Sequence, residues 1–161
     1  MLFRSALVES ERQYFETFEA APVAMCWISP DGRYLRTNRA FQKLSGYSAQ
    51  ELLNMGPADT SHPNTLASTR QRIADLVSGA TEHVEGESQF IQKDGRSIWL
   101  YVNMALIRRQ DGSPEYLLAH LQDITARKSA EAQLFHAQRM DAVGSFAGGI
   151  AHDFKIGRAH V

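Results

Sequence analysis

The chain has 161 residues, with 17 Lys and Arg against 18 Asp and Glu and a formal net charge of −1. That length holds one domain of ordinary size with a helical extension, and basic residues scattered without a stripe argue against a nucleic-acid partner. A single cysteine, Cys26, excludes an internal disulfide framework and suits a reducing cytosol. No apolar run approaches the roughly 18 residues of a membrane span, and the opening residues lack a signal-peptide core, so a cytoplasmic chain without membrane contact is expected.

Leu7–Glu19 reads as a helix with an apolar stripe of Leu7, Tyr14, Phe15 and Phe18. Three Asp-Gly pairs, Asp31-Gly32, Asp94-Gly95 and Asp111-Gly112, lie between runs of strand formers and mark tight turns. They predict strands over Val23–Ser29, Arg33–Thr37, His83–Gln92, Ser97–Arg108 and Tyr116–Asp123, five in an antiparallel sheet. The region between the second and third strands reads as helices and loops. Asn38–Gly46 carries Phe41 and Leu44 on one side, and Ser48-Ala-Gln-Glu51 is a capping box opening a short helix with Leu52 and Leu53. Met55–Asn64, with two prolines and a glycine, is a loop or a single turn. Leu66–Val77 is amphipathic, with Leu66, Ile73, Leu76 and Val77 expected inward and Arg70 and Arg72 outward.

Ser97–Arg108 is apolar on both faces: Ile98, Leu100, Val102, Met104 and Leu106 on one, Trp99, Tyr101 and Ile107 on the other. An antiparallel sheet usually leaves one face wet, so the second face needs a cover. The N-terminal helix is the expected cover, and its stripe would also suit a dimer contact.

From Ala126 the chain is charged and alanine-rich, a continuous helix by propensity. Met140, Val143, Ala147, Ile150 and Phe154 recur at spacings of three and four, a two-stranded seam. With Met140 at position a, His152 falls at f, on the outer face beside Asp153. Gly144, Gly148 and Gly149 each cost a helix about 1 kcal/mol against alanine, and they leave one face bare, where another domain could approach. Carried backward, the register puts Ser129, Gln133 and His136 in the seam. The seam therefore shifts phase or weakens near Leu134, a place where a small rotation could be transmitted.

Two resemblances follow from these residues. The order of a flanking helix, two strands, a helical insert and a three-stranded meander resembles a PAS domain over residues 10–125. The residues that carry it include Ala21-Pro22-Val23, Asp31-Gly32, Asn38 with Ala40-Phe41, Leu44-Ser45-Gly46-Tyr47, His62-Pro63, Lys93-Asp94-Gly95 and Asp123-Ile124-Thr125. The resemblance implies an α+β fold with sheet order 2-1-5-4-3, and it marks Asp123 and Thr125 as the motif that passes a signal from the last strand to the output helix. A plain helix cap explains those two residues nearly as well. The segment Gln138–Phe154, ending Ala-Gly-Gly-Ile-Ala-His-Asp-Phe, resembles the phosphoacceptor box of sensor histidine kinases. It implies His152 as the phosphorylated residue and Asp153 as the neighbour that takes or orients its Nδ1 proton. Neutral imidazole is a competent nucleophile toward a γ-phosphate.

The expected organisation is a flanking helix at 1–21, a PAS sensor at 22–125, a linker helix at 126–137, and the start of a dimerising phosphotransfer helix at 138–155. After Phe154 the family continues Asn-Asn, whereas Lys155–Val161 diverges. Residues 156–161 match one reading frame of a sequencing-library adapter, ATC GGA AGA GCA CAC GTC, and are expected to be foreign. The expected parent is a sensor histidine kinase whose ATP-binding domain lies downstream. It would act as a homodimer through the C-terminal helix, with the N-terminal helix as a further contact, and pass phosphate to a response regulator. Two other readings stand beside it: a stand-alone PAS binding or dimerisation module, and a cofactor-bound redox or gas sensor.

Neither haem nor flavin is expected. Cys26 lies on the first strand rather than in the adduct motif of flavin photoreceptors, and His62 falls in a His-Pro turn. His83 and His120 lack partners at ligand spacing, so no metal site is expected. Glu85 and Glu87 share a strand face and read as a solvated edge.

Overall fold

Each Asp-Gly pair closes a hairpin or strand connection with the same hydrogen bonds. Gly32 N–H donates to Ser29 O at 2.9 Å, Gly95 N–H to Gln92 O at 2.9 Å and Gly112 N–H to Arg109 O at 2.9 Å. The three glycines have φ of 86°, 87° and 86°, a left-handed conformation that glycine adopts without steric cost. This geometry matches the three-residue turn ending in a left-handed bulge.

The computed structural model describes the backbone of residues 2–159 and the side chains of residues 2–152. Its elements are α1 (Leu2–Ala20), β1 (Ala24–Ile28), β2 (Tyr34–Thr37), α2 (Arg39–Ser45), α3 (Ala49–Leu52), α4 (Pro57–Thr60), α5 (Pro63–Ser78), β3 (His83–Ile91), β4 (Ser97–Arg108), β5 (Pro114–Asp123) and α6 (Thr125–Ala159). The chain forms two units, Met1–Ile124 and Thr125–Val161. In the first, one antiparallel sheet has the order β2-β1-β5-β4-β3, as the PAS resemblance implied. The residues expected as a loop or turn before α5 contain the short helix α4, with Pro57 and Pro63 each in the first turn of a helix.

One sheet face and the helical insert enclose the core. Cys26, Leu100, Leu117 and Ala119 meet Phe41 of α2, Leu52 of α3 and Leu76 of α5, each no more than 1 % exposed. Aromatic edges extend the packing, with Phe41 centred 5.4 Å from Tyr34 and 6.0 Å from Phe90. Gly56 is fixed by close approach, because a Cβ there would lie 1.9 Å from the Gly32 carbonyl oxygen. The β1–β2 turn thus rests directly on the start of α4.

The outer sheet face corrects one expectation. Of the stripe on α1 only Phe18 is buried, at 4 %, while Leu7, Tyr14 and Phe15 stay 60 %, 63 % and 46 % exposed. The helix is held at its last turn, where Phe18 packs at 5.7 Å against Trp27 and the Asn38 amide donates to Phe18 O. The face is instead covered partly by its own wide side chains. Trp27 stacks at 4.5 Å on Tyr116, and the Arg36 guanidinium lies 4.9 Å from the Trp27 ring and 5.2 Å from Phe15. Arg72 was also expected outward. It is half-buried, and its guanidinium donates to Glu87 O of β3 at 3.1 Å.

Candidate functional site

α6 runs unbroken through its glycines over 35 residues. Met140, Val143 and Ile150 of the expected seam are 57 %, 61 % and 48 % exposed, and Phe146 beside them is 71 % exposed. His152 is exposed. Helical side chains lean toward the preceding turn, which for His152 contains Gly148 and Gly149. Among the described residues a Cβ at either glycine would meet nothing within 4 Å, so the helix surface one turn before His152 is bare. An exposed imidazole on an open helix face can act as a nucleophile. The side chains of Asp153 and Phe154 and those of the tail at 156–161 lie outside the described residues.

Asp123 and Thr125 flank Ile124, the last residue of the first unit. Asp123 is exposed and pairs with Leu100 at the end of the β4–β5 ladder. Ile124 is 4 % exposed, and its N–H donates to Trp99 O at 2.9 Å. The chain is therefore pinned one residue before α6 begins. Thr125 opens α6, and His152 lies 27 residues further along the same helix, about 40 Å at 1.5 Å per residue.

Within the first unit a cavity of about 40 Å³ lies between the sheet and the insert. One side is apolar, from Ile28, Leu100, Met104 and Leu121, and Cys26 also faces it. Burial pushes the Cys26 thiol well above its ordinary pKa. Thr60, Ser61, Thr69, Arg72 and Ser88 also line the cavity, although most of its accessible wall is apolar. The Tyr34 hydroxyl, also pushed up by burial, bonds Thr60 Oγ1 at 2.9 Å. Thr69 Oγ1 and Ser88 Oγ lie 3.2 Å apart, and Ser88 continues to Thr65 Oγ1 at 3.3 Å.

The histidines considered earlier are engaged elsewhere. His62 caps α5, its Nδ1 accepting from Asn64 N–H at 3.1 Å, and His83 Nε2 lies 2.6 Å from Asn103 Oδ1. His120 and Glu85 are exposed and Glu87 is half-buried. Among the described residues no group of three or more His, Cys, Asp or Glu is arranged to hold a metal. None of their helices is long and apolar enough to cross a membrane.

Sequence reading missed two residues. Asn38 is fully buried, and its amide bonds reach the end of α1, β1 and α2. In the sequence it figures only among the residues that carry the PAS resemblance, with no sign of this bonding role. Arg72 lines the cavity, for which a basic residue on an amphipathic helix gave no signal.

Comparison with known proteins accounts for this geometry. Residues 12–124, well over half of the chain, match the PAS family, described as the PAS fold. Among solved structures, the PAS domain of a Colwellia psychrerythraea protein superposes with a TM-score of 0.66 at 19 % identity, covering 71 % of this chain and 97 % of that one. The PAS domain of an HTR-like protein from Haloarcula marismortui gives 0.64 at 20 %, covering 75 % and 97 %. Among curated relatives, the probable diguanylate cyclase DgcE of Escherichia coli (strain K12) is 27 % identical over 91 % of this chain and 13 % of its own length. The sensor histidine kinase TmoS of Ectopseudomonas mendocina is 26 % identical over 92 % and 16 %. The C4-dicarboxylate transport sensor protein DctS of Rhodobacter capsulatus is 30 % identical over 95 % and 23 %. The chain thus spans less than a quarter of the length of these curated relatives.

Proposed function

The chain belongs to the PAS family, and we propose that it is the sensory input and the start of the phosphoacceptor helix of a two-component sensor histidine kinase. The single observation that carries this is His152, exposed on α6 above the open surface left by Gly148 and Gly149, within the Ala147–Phe154 box. The PAS resemblance alone does not choose the output, since both a probable cyclase and sensor kinases align with the chain. A cyclase has no use for a reactive histidine followed by Asp153 at this place.

In this reading the cavity or its surroundings receive the stimulus. The strain passes along β4 and β5 to the Ile124 pin, and Asp123 and Thr125 set the phase of α6. Met140, Val143, Ala147, Ile150 and Phe154 pair the helix with a second copy, so His152 faces outward toward an ATP-binding domain. The His152 nitrogen attacks the γ-phosphorus of ATP, ADP leaves, and the ring proton passes to Asp153. Phosphate then moves to an aspartate of a response regulator. The parent works in the cytoplasm, where the buried Cys26 stays reduced. The cavity, with room for roughly three waters, favours no haem or flavin, and the purified protein is expected to be colourless. A Soret band or a flavin peak surviving gel filtration would contradict that.

The test of the output is the parent gene read through the position of Phe154 and expressed whole. With labelled nucleotide, phosphate from ATP should join the protein, and GTP should yield no cyclic dinucleotide. The reverse pattern would replace the kinase reading with the cyclase one.

A further inference from the structure

The strand β3 gives up a side chain at Gly86, and the reason lies on α5. A Cβ at Gly86 would sit 2.6 Å from Arg72 Nη2 and 3.0 Å from its Cζ, so the guanidinium occupies the space a side chain there would need. Glycine inside a strand weakens it and marks a close approach of another group. Gly86 also has φ of 155°, which disfavours replacement. Gly86 thus leaves room on β3 for the end of the Arg72 side chain.

Arg72 donates to one carbonyl, Glu87 O at 3.1 Å, and among the described residues no carboxylate lies within ion-pair distance of it. A guanidinium has five N–H donors in a planar fork suited to two oxygens at once. Half-burying such a group with one neutral acceptor gives stability little in return. Arg72 is also among the residues lining the 40 Å³ cavity, with Ser61, Thr69 and Ser88. Each hydroxyl is bonded to a neighbour, and a hydroxyl can turn about its C–O bond to donate to an anion instead.

Resting on the reading of this domain as the sensor, we infer that Arg72 with Ser61, Thr69 and Ser88 forms a binding site for a small planar oxyanion, a monocarboxylate or nitrate of three or four heavy atoms. Size sets the class: a water needs roughly 10–15 Å³ by the same measure, so the cavity takes about three atoms' worth of ligand. A four-carbon dicarboxylate or an aromatic cofactor is too large. Charge and shape set the rest, since a planar fork selects paired oxygens in one plane. Anion binding would draw α5 and β3 together through Arg72 and Ser88, and β3 pairs directly with β4 of the exit route.

The experiment uses the whole chain, with acetate, formate and nitrate as probes and chloride at matched ionic strength as the baseline. Acetamide serves as the neutral analogue of acetate and succinate as the oversized one. At least one probe should raise the melting temperature saturably, by about 5 °C or more at a hundredfold excess over its dissociation constant. It should also shift the backbone amide resonances of Ser61, Gly86 and Ser88. Arg72→Gln should weaken binding by about tenfold or more, and acetamide and succinate should do nothing. Acetate alone would assign a carboxylate, and nitrate alone an inorganic anion. Absence of saturable binding at millimolar concentrations, equal binding of acetamide, or amide shifts confined to other surfaces would each overturn the site. If Arg72→Gln does not fold, the amide map of the unaltered protein decides alone. The sensor reading fails separately: an anion that binds here yet leaves autophosphorylation of the parent unchanged would sink that reading and leave the site standing.

Discussion

Five backbone groups from separate segments converge on one side chain, Asn38. Its Nδ2 donates to Val23 O at 2.9 Å and Phe18 O at 3.0 Å, with Ala21 O at 3.5 Å, while its Oδ1 accepts from Met25 N–H and Phe41 N–H, both at 3.0 Å. Removing the amide leaves buried donors and acceptors without partners, each costing about 1–3 kcal/mol. Asn38→Ala should therefore destabilise the first unit by about 3 kcal/mol in urea unfolding and speed amide exchange at the end of α1. Asn38→Asp should be at least as severe, because a carboxylate would face carbonyl oxygens it cannot pair with. A loss below 1 kcal/mol would show that the bonds to Phe18 and Val23 are dispensable. The sequence marked Asn38 only as part of the PAS resemblance. The bonds back to residues 18–25 were not legible, because they depend on where a connecting segment lies in space.

At the scale of elements, legibility followed local chemistry. The Asp-Gly turns, the capping box of Ser48 and Glu51 and the alternation of β4 are set by near neighbours, and the strands formed within about two residues of their expected limits. The stripe on α1 has the right periodicity but no local feature fixes the angle at which the helix leaves the sheet, so its cover of the outer face did not follow. Arg72 shows the same limit from the other side. A basic residue normally reaches for solvent, but Gly86 opens a place for it on β3. For α6, the proposed pairing with a second copy rests on exposed apolar side chains at seam spacing; on that proposal Ile150→Glu should raise the dimer dissociation constant about tenfold or more in sedimentation while leaving the sheet domain's unfolding unchanged. A dimer of unaltered strength would remove α6 from the interface. Replacing Gly148 and Gly149 with alanine should stabilise the helix by about 1 kcal/mol each, since no neighbour lies in the way. The same change should slow phosphorylation of His152 in the parent by crowding the surface beneath the ring. Faster or unchanged labelling would mean that surface is not used.

At the scale of the molecule, the first unit buries two acidic protons, on Cys26 and Tyr34. Both are pushed up by burial, and the Tyr34 hydroxyl is bonded to Thr60. In the unfolded chain the thiol ionises from about pH 8.5 and the phenol from about pH 10. In the folded chain both stay protonated there, so the native state holds more protons than the unfolded one and stability falls as pH rises. The stabilisation is complete below about pH 8.5; it declines by about 1.4 kcal/mol per pH unit above that for the thiol, and by a similar amount for the phenol only above about pH 10. Melting temperature should drop from about pH 8.5 upward, and Cys26→Ala should move the onset toward pH 10. An unchanged onset in that variant would show that Cys26 does not govern it. For the same reason the native thiol should resist alkylation until the domain unfolds.

How the two units work together rests on the kinase reading, whose sensor half is the PAS family's and whose output half is carried by the His152 box. The most direct measurement is acid-labile, base-stable phosphate on the full-length parent after incubation with ATP, located to a residue by mass spectrometry and compared between the unaltered protein, His152→Gln and Asp153→Asn. The expected result is phosphate on His152, none in His152→Gln, and slowed labelling with an intact fold in Asp153→Asn. Labelling of His152→Gln at the rate of the unaltered protein would contradict the central assignment.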